Sequence, residues 1–418
     1  MQKNSFASEG MFEGHRKWKN SISRKKTLYD KMNDHRSEFY RDYCRILHSR
    51  AYRRLKFKTQ VYFAPENDHT CTRIEHVNHV ASVSYVIARQ LGLNTELTNA
   101  IAIGHDLGHS PFGHTGENLL KELAEENGLK YFGHEKNGLK FIDKIETLTH
   151  PTSTEEFYLN LTYAVRDGIV CHCGEAENKP LKAREAFEDL NNFYGGGANE
   201  PYTWEGCVVR IADKIAYYGR DLEDSIRYGL ITLADVIDYL EQYFQRHNNN
   251  ITRQRILRAT SPGIINLLID DLLDNSSLEE GLGYSDDVYL LLDGLNSFCY
   301  DKIYTHIKIR NYQDYSNLIM KAIFGYLKDL YNPRKTKNKK VDIHRLKAES
   351  HLLAKYFIEW LNTYSNMNIE GEDKIYINDI EILYDISSEK DYKQAVLEFI
   401  SGMTDRFAVR IYKEITAF

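Results

Sequence analysis

The sequence predicts an all-α protein, and three observations carry that reading. Only seven prolines occur in 418 residues, few enough to leave long helices unbroken. Apolar residues recur at steps of three and four through most of the chain. Strand-type alternation is weak everywhere, and its best instance is the short Lys374–Ile377 segment.

The elements follow in order. Residues 1–25 are polar and basic, which predicts a loosely held N-terminal arm. Helical patterning starts near Lys26. From Glu75 to Leu91, Val80, Val83, Ile87 and Leu91 fall at steps of 3, 4 and 4, one helical stripe. Gly92 stops that helix, and Asn94 can cap the next, through Leu97, Ile101 and His105. HSPFGH (109–114), a proline and a glycine in six residues, predicts a turn. Further helices are expected at 134–146, 154–166, 205–228 and 232–247. The stretch 190–203 (LNNFYGGGANEPYT) reads as a loop. Its GGG lacks a following GK[ST], so it is not a phosphate loop. Arg334–Lys340 carries five basic residues in seven and reads as a solvated linker.

Composition removes several functions. Lys+Arg 54 against Asp+Glu 60 leaves a net charge of −6, which excludes a generally basic nucleic-acid coat. No run approaches the roughly 18 apolar residues that span a bilayer. The first twenty residues lack an apolar export core, and six dispersed cysteines suit reduced thiols. A cytoplasmic protein with no membrane partner is expected. The 30 tyrosines read mainly as helix-packing residues.

The chemistry lies in the histidines. Half of the 16 fall between His69 and His150, in RIEH (73–76), GHDLGHSPFGH (104–114) and GHE (133–135). Imidazole nitrogen and carboxylate oxygen are donors for a divalent ion. Adjacent His105 and Asp106 can give one ion two donors if a helix end holds them. His76 lies four residues before Val80, on the apolar stripe, where a buried imidazole needs a partner. Asp213 sits in the apolar run VVRIADKIA, where an unpaired carboxylate would be costly. Tyr217 and Arg220 follow it at i+4 and i+7. The spacing H…HD…D therefore predicts a metal centre. Cys171-His172-Cys173 has no second pair at zinc-site spacing and is not assigned to metal. His79 is open between a role near His76 and a solvent-side position.

These motifs resemble the HD-domain phosphohydrolases, and within them the deoxynucleoside-triphosphate triphosphohydrolases, the dGTPase-like family. The resemblance runs through HSRAYRRLKFKTQV (48–61), DHTCTRIEHVNHVASVSYVIARQLGLN (68–94), AIAIGHDLGHSPFGHTGE (100–117) and YFGHEKNGLKFI (131–142). It continues in RDGIVCHCGE (166–175), WEGCVVRIADKIAYYGRDLEDSI (204–226) and ISGMTDRFAVRIYKEI (400–415). Residues 230–395 carry no matching motif. The resemblance implies an HD-domain helical core over 26–230, with a further helical region at 231–418 packed on it. It implies ligation of a divalent metal (Mn, Mg, Fe, Co or Zn) by His76, His105, Asp106 and Asp213. His109, His114, Glu117 and His134 match the family's catalytic neighbourhood, with His114 expected as the acid. Arg73, Lys214, Tyr217 and Asp221 match its triphosphate and sugar contacts, and Gln60 a position facing sugar and base. A dNTP substrate follows, with a homo-oligomer (tetramer or hexamer) and possible allosteric dNTP or single-stranded DNA. In GMTDRFA (402–408), an Asp405–Arg406 ion pair is the simple expectation.

Two other readings compete. The same centre could act on a nucleoside monophosphate, an alarmone or a cyclic dinucleotide. Alternatively the chain could be a non-catalytic nucleotide or single-stranded DNA sensor, with Arg334–Lys340 in contact.

Overall fold

The protein is described from a computed structural model. It describes residues 5–28, 34–61, 71–150, 154–174, 179–193, 197–247, 249, 256, 263–335, 340–369, 371, 374–378 and 380–416. Most of residues 248–262 and 336–339 of the basic stretch lie outside these, as do 194–196 of the GGG loop.

Among the described residues the fold is all-α, with one two-stranded sheet. The longer helices are α1 (Glu38–His48), α2 (Arg73–Leu91), α3 (Thr95–Gly104), α4 (Gly113–Glu126), α5 (His134–Lys140), α6 (Tyr163–Val170) and α7 (Trp204–Arg227). Then come α8 (Leu233–Arg246), α9 (Gly263–Asn275), α10 (Asp286–Phe298), α11 (Ile307–Asp329), α12 (His351–Tyr364), α13 (Glu389–Ser401) and α14 (Asp405–Thr416). Among the described residues, no helix is long and apolar enough to cross a membrane.

Two compact units share the chain, each drawing on three stretches. The first comprises Met1–Leu47, Asn67–Asp106 and Leu161–Asn311. Its centre is α2, α3 and α7 packed on one another, with α6 against α3 and α7, and α9 against α2 and α7. The stripe Val80, Val83, Ile87 and Leu91 is buried. Gly92 ends α2 in the left-handed region at φ 77°, and the Asn94 side chain accepts from the amides of Glu96 and Leu97. The N-terminal arm is tied down: Phe6 is buried edge-on to Trp204. The Met11 amide donates to buried Glu205, at 2.8 Å.

The second unit comprises His48–Glu66, Leu107–Asn160 and Tyr312–Phe418. In it α13 packs against α4 and α12. α5 runs into a π-helical turn, Phe141–Ile145, so the 134–146 helix is real but widens at its end. The 154–166 helix is not formed as expected. Glu156–Tyr158 is a strand, antiparallel to Thr147–Thr149, and α6 starts only at Tyr163. Phe157 and Tyr158 suit a pleated surface better than a helix, and Asn160 at φ 43° breaks the path between the two elements. Of Lys374–Ile377, only Ile377 makes a bridge, to Glu156.

Candidate metal centre

Three helices of the first unit converge on the predicted ligands. α2 begins at a capping box, in which the Thr72 amide donates to Glu75 at 2.8 Å. That fixes the first turn, and with it Arg73 and His76, both buried. α3 ends at Gly104, so His105 and Asp106 leave the helix as a rigid pair. His105 Nδ1 donates to the Ala102 carbonyl at 2.6 Å, which leaves Nε2 as the ring's acceptor. Asp213 comes from α7.

These side chains meet. His76 Nε2 lies 2.8 Å from Asp213 Oδ1. His105 Nε2 lies 3.6 Å from Asp213 and 3.5 Å from Asp106 Oδ1. The ligand atoms of His76, His105 and Asp213 all lie within 4.8 Å of one another, as do those of His105, Asp106 and His172. His105 is fully buried, yet its Nε2 has no hydrogen-bond partner among the described residues. Such an atom is costly unless something fills its lone pair, and a divalent cation fits both it and the two carboxylates. Burial opposes ionisation of Asp213, but the His76 hydrogen bond, foremost among the lowering causes, holds it well below the usual carboxylate range. Burial likewise opposes protonation of His76, which Asp213 nevertheless pulls upward.

The anion-facing candidates follow. Arg73 Nη1 donates to Asp106 Oδ2 at 2.8 Å. Its Nε and Nη2 are buried without partners among the described residues, two donors available to an anion. Lys214 and Tyr217 are half-buried on α7. Asp221, two turns beyond Asp213, is buried and its carboxyl is pushed up to about 8, chiefly by burial. Its Oδ2 accepts from Tyr304 Oη at 3.1 Å, and the Tyr304 ring lies 6.5 Å from that of Tyr217.

The remaining predicted residues form a cluster in the second unit. Buried Glu117 accepts from His134 Nδ1 at 2.9 Å and from Lys121 at 2.9 Å, and lies 3.7 Å from His114 Nδ1. Hydrogen bonds from His114 and His134, with the charges of His134 and His109, overcome burial and hold Glu117 far below its ordinary range. His109 stacks on His134 with centroids 3.8 Å apart. The His114 side chain remains 64% exposed, open to an incoming group. The turn between His109 and His114 is wound tightly. Phe112 adopts φ 63°, and a Cβ at Gly108 would stand 2.0 Å from the His134 carbonyl oxygen.

Asp405 closes this turn. Its Oδ1 accepts from the Phe112 amide at 2.8 Å, and its Oδ2 from the Thr59 amide at 2.8 Å and the Thr59 hydroxyl. The expected Asp405–Arg406 pair is therefore corrected. Asp405 is buried beneath the turn, where backbone donors outcompete a neighbour on the exposed face of α14. Lys58 donates to the His109 carbonyl. Gln60, next along, is buried with Oε1 lacking a partner among the described residues.

Sequence reasoning missed four residues here: Lys58, Asp405, Tyr304 and His172. Lys58 stood inside a recognisable motif without a role, and Asp405 was given only the wrong partner. Tyr304 lies in the stretch without motifs and gave no signal. His172 was set aside because the CHC run had no zinc-type partner, yet its ring lies 4.9 Å from that of His105.

The chain is similar to known proteins along most of its length. The HD domain family matches residues 73–218, which contain the whole H…HD…D set. The deoxyguanosinetriphosphate triphosphohydrolase-like protein of Desulfatibacillum aliphaticivorans is 32% identical over 385 residues, 91% of this chain and 88% of that protein. Its namesake in Caldanaerobacter subterraneus is 30% identical over 398 residues, 95% and 90% of the two chains. That of Thiobacillus denitrificans is 32% identical over 396 residues, 91% of each.

Proposed function

Because the chain belongs to the deoxyguanosinetriphosphate triphosphohydrolase-like family of HD-domain proteins, we propose that it hydrolyses deoxynucleoside triphosphates to deoxynucleoside and inorganic triphosphate. The observation that carries the reading is the set His76, His105, Asp106 and Asp213, with the buried, open guanidinium of Arg73 bonded to one of its carboxylates. A cation site joined to an anion site suits a phosphoester.

A divalent ion held by the four ligands would lower the pKa of a bound water and draw charge from the α-phosphoryl oxygens. The protein's own groups do the rest. Arg73 and Lys214 offset the triphosphate charge. Attack at the α-phosphorus expels the 5′-oxygen of the sugar, a poor leaving group that needs a proton. His114 is assigned that task. Glu117 orients and charges its imidazole, and His134 with His109 extends the chain of rings behind it. Tyr217 beneath the sugar would crowd a 2′-hydroxyl, and Asp221 would meet the 3′-hydroxyl. Gln60 would face sugar and base.

Anion-exchange chromatography of products from each dNTP with Mn²⁺ or Mg²⁺ tests the proposal. Intact triphosphate plus deoxynucleoside is expected, and none from His105→Ala/Asp106→Ala. Pyrophosphate with monophosphate would refute the assignment. A homo-oligomer in the cytoplasm is proposed with it, to be read by light scattering of the purified chain and by cell fractionation.

A further inference from the structure

We propose that His172 is a fifth protein ligand of the metal centre, a third imidazole beside His76 and His105. The inference rests on the metal-centre reading above and extends it.

His172 follows the end of α6, in the first unit, and is buried. Its Nδ1 meets the Ile169 carbonyl at 2.7 Å, three residues back. His105 makes the same bond to Ala102, also three residues back. A backbone carbonyl accepts only from a protonated nitrogen. Each ring is therefore held in the tautomer that leaves Nε2 with its lone pair, the arrangement expected of a metal-binding imidazole. The two rings lie 4.9 Å apart at 65°.

The geometry favours one ion over two. Two of the close triads among the described residues, His76–His105–Asp213 and His105–Asp106–His172, share His105. An imidazole Nε2 has a single lone pair and cannot bridge two ions. Both triads then describe one coordination sphere of three nitrogens and two carboxylates. Donor pairs up to 4.8 Å apart need to close by only a few tenths of an ångström to fit metal–donor bonds of roughly 2.0–2.2 Å. Cys173 Sγ lies 3.2 Å from His172 Nε2, a weak contact that an ion would displace. Three imidazoles favour a transition-metal ion over Mg²⁺, which prefers oxygen.

His172→Asn is the informative variant. An asparagine amide can keep the bond to the Ile169 carbonyl but has no atom at the Nε2 position. The chelator-treated full chain and the variant are titrated with Co²⁺, Mn²⁺ and Mg²⁺, followed by calorimetry and, for Co²⁺, by visible absorption. Metal-free melting temperatures establish that both fold alike, and His172→Ala serves if the asparagine variant does not fold. The wild type is expected to bind one ion per chain. Its Co²⁺ and Mn²⁺ affinities fall at least about tenfold in the variant, the Co²⁺ spectrum changes, and Mg²⁺ changes little. Equal affinity, stoichiometry and spectrum in wild type and variant overturn the proposal while leaving the four-ligand centre intact. A wild type that binds no ion overturns the centre itself.

Discussion

Glu205 shows how one buried side chain sets a measurable property. Its Oε1 accepts from the amides of Met11 and Asn94, while Oε2 has no partner among the described residues. Burial pushes its carboxyl from 4.5 up to about 7. The folded protein thus keeps a proton that the unfolded chain releases between those pH values. Folding stability from this group is full below pH 4.5 and is lost as pH rises to 7. Glu205→Gln retains an acceptor for both amides and has nothing to ionise. The variant should be the more stable form at pH 8, by about 3 kcal/mol, and indistinguishable near pH 4.5. Parallel urea-unfolding curves across that range would contradict this. At the proposed sugar site, Tyr217→Ala should raise NTP hydrolysis relative to dNTP hydrolysis by about tenfold or more, whereas an unchanged ratio removes Tyr217 from 2′-selection. The candidate metal ligands stood out at this scale because His and Asp in an apolar setting admit few other accounts. His172 and Tyr304 were not, because what defines them is contact with residues far along the chain.

Elements were legible where their pattern was long and locally capped. α2 and α3 could be read with their stop and start signals because a stripe, a glycine and an asparagine all agree. The 154–166 segment could not, since a short strand is decided by its partner at 147–149 rather than by its own residues. Asp405 has the same character, with a motif visible in sequence and a function visible only in space. It receives three donors from the 58–60 segment and the 109–114 turn. Asp405→Asn would set an amide N–H against some of those donors. A loss of about 2–4 kcal/mol in unfolding free energy is expected, with lower kcat. A change under about 0.5 kcal/mol, of the size typical of neutral surface substitutions, would show that the clamp is not needed.

The whole molecule is two units threaded by one chain, each returning to the sequence three times. Such interleaving leaves no composition break, so it could not be read from the sequence. A bound ion stabilises only the folded chain, and at a hundredfold excess over its dissociation constant it adds about 2.7 kcal/mol. EDTA should therefore lower the melting temperature of the wild type and not that of His105→Ala/Asp106→Ala, whereas equal response in both would place the ion elsewhere.

Reaction in H₂¹⁸O tests the central claim most directly, because it reports which phosphorus is attacked. Metal-dependent attack at the α-phosphorus predicts one ¹⁸O in the released triphosphate, none in the deoxynucleoside, and no turnover without added metal after EDTA. Label in the deoxynucleoside, or in pyrophosphate released with an unlabelled monophosphate, would contradict it.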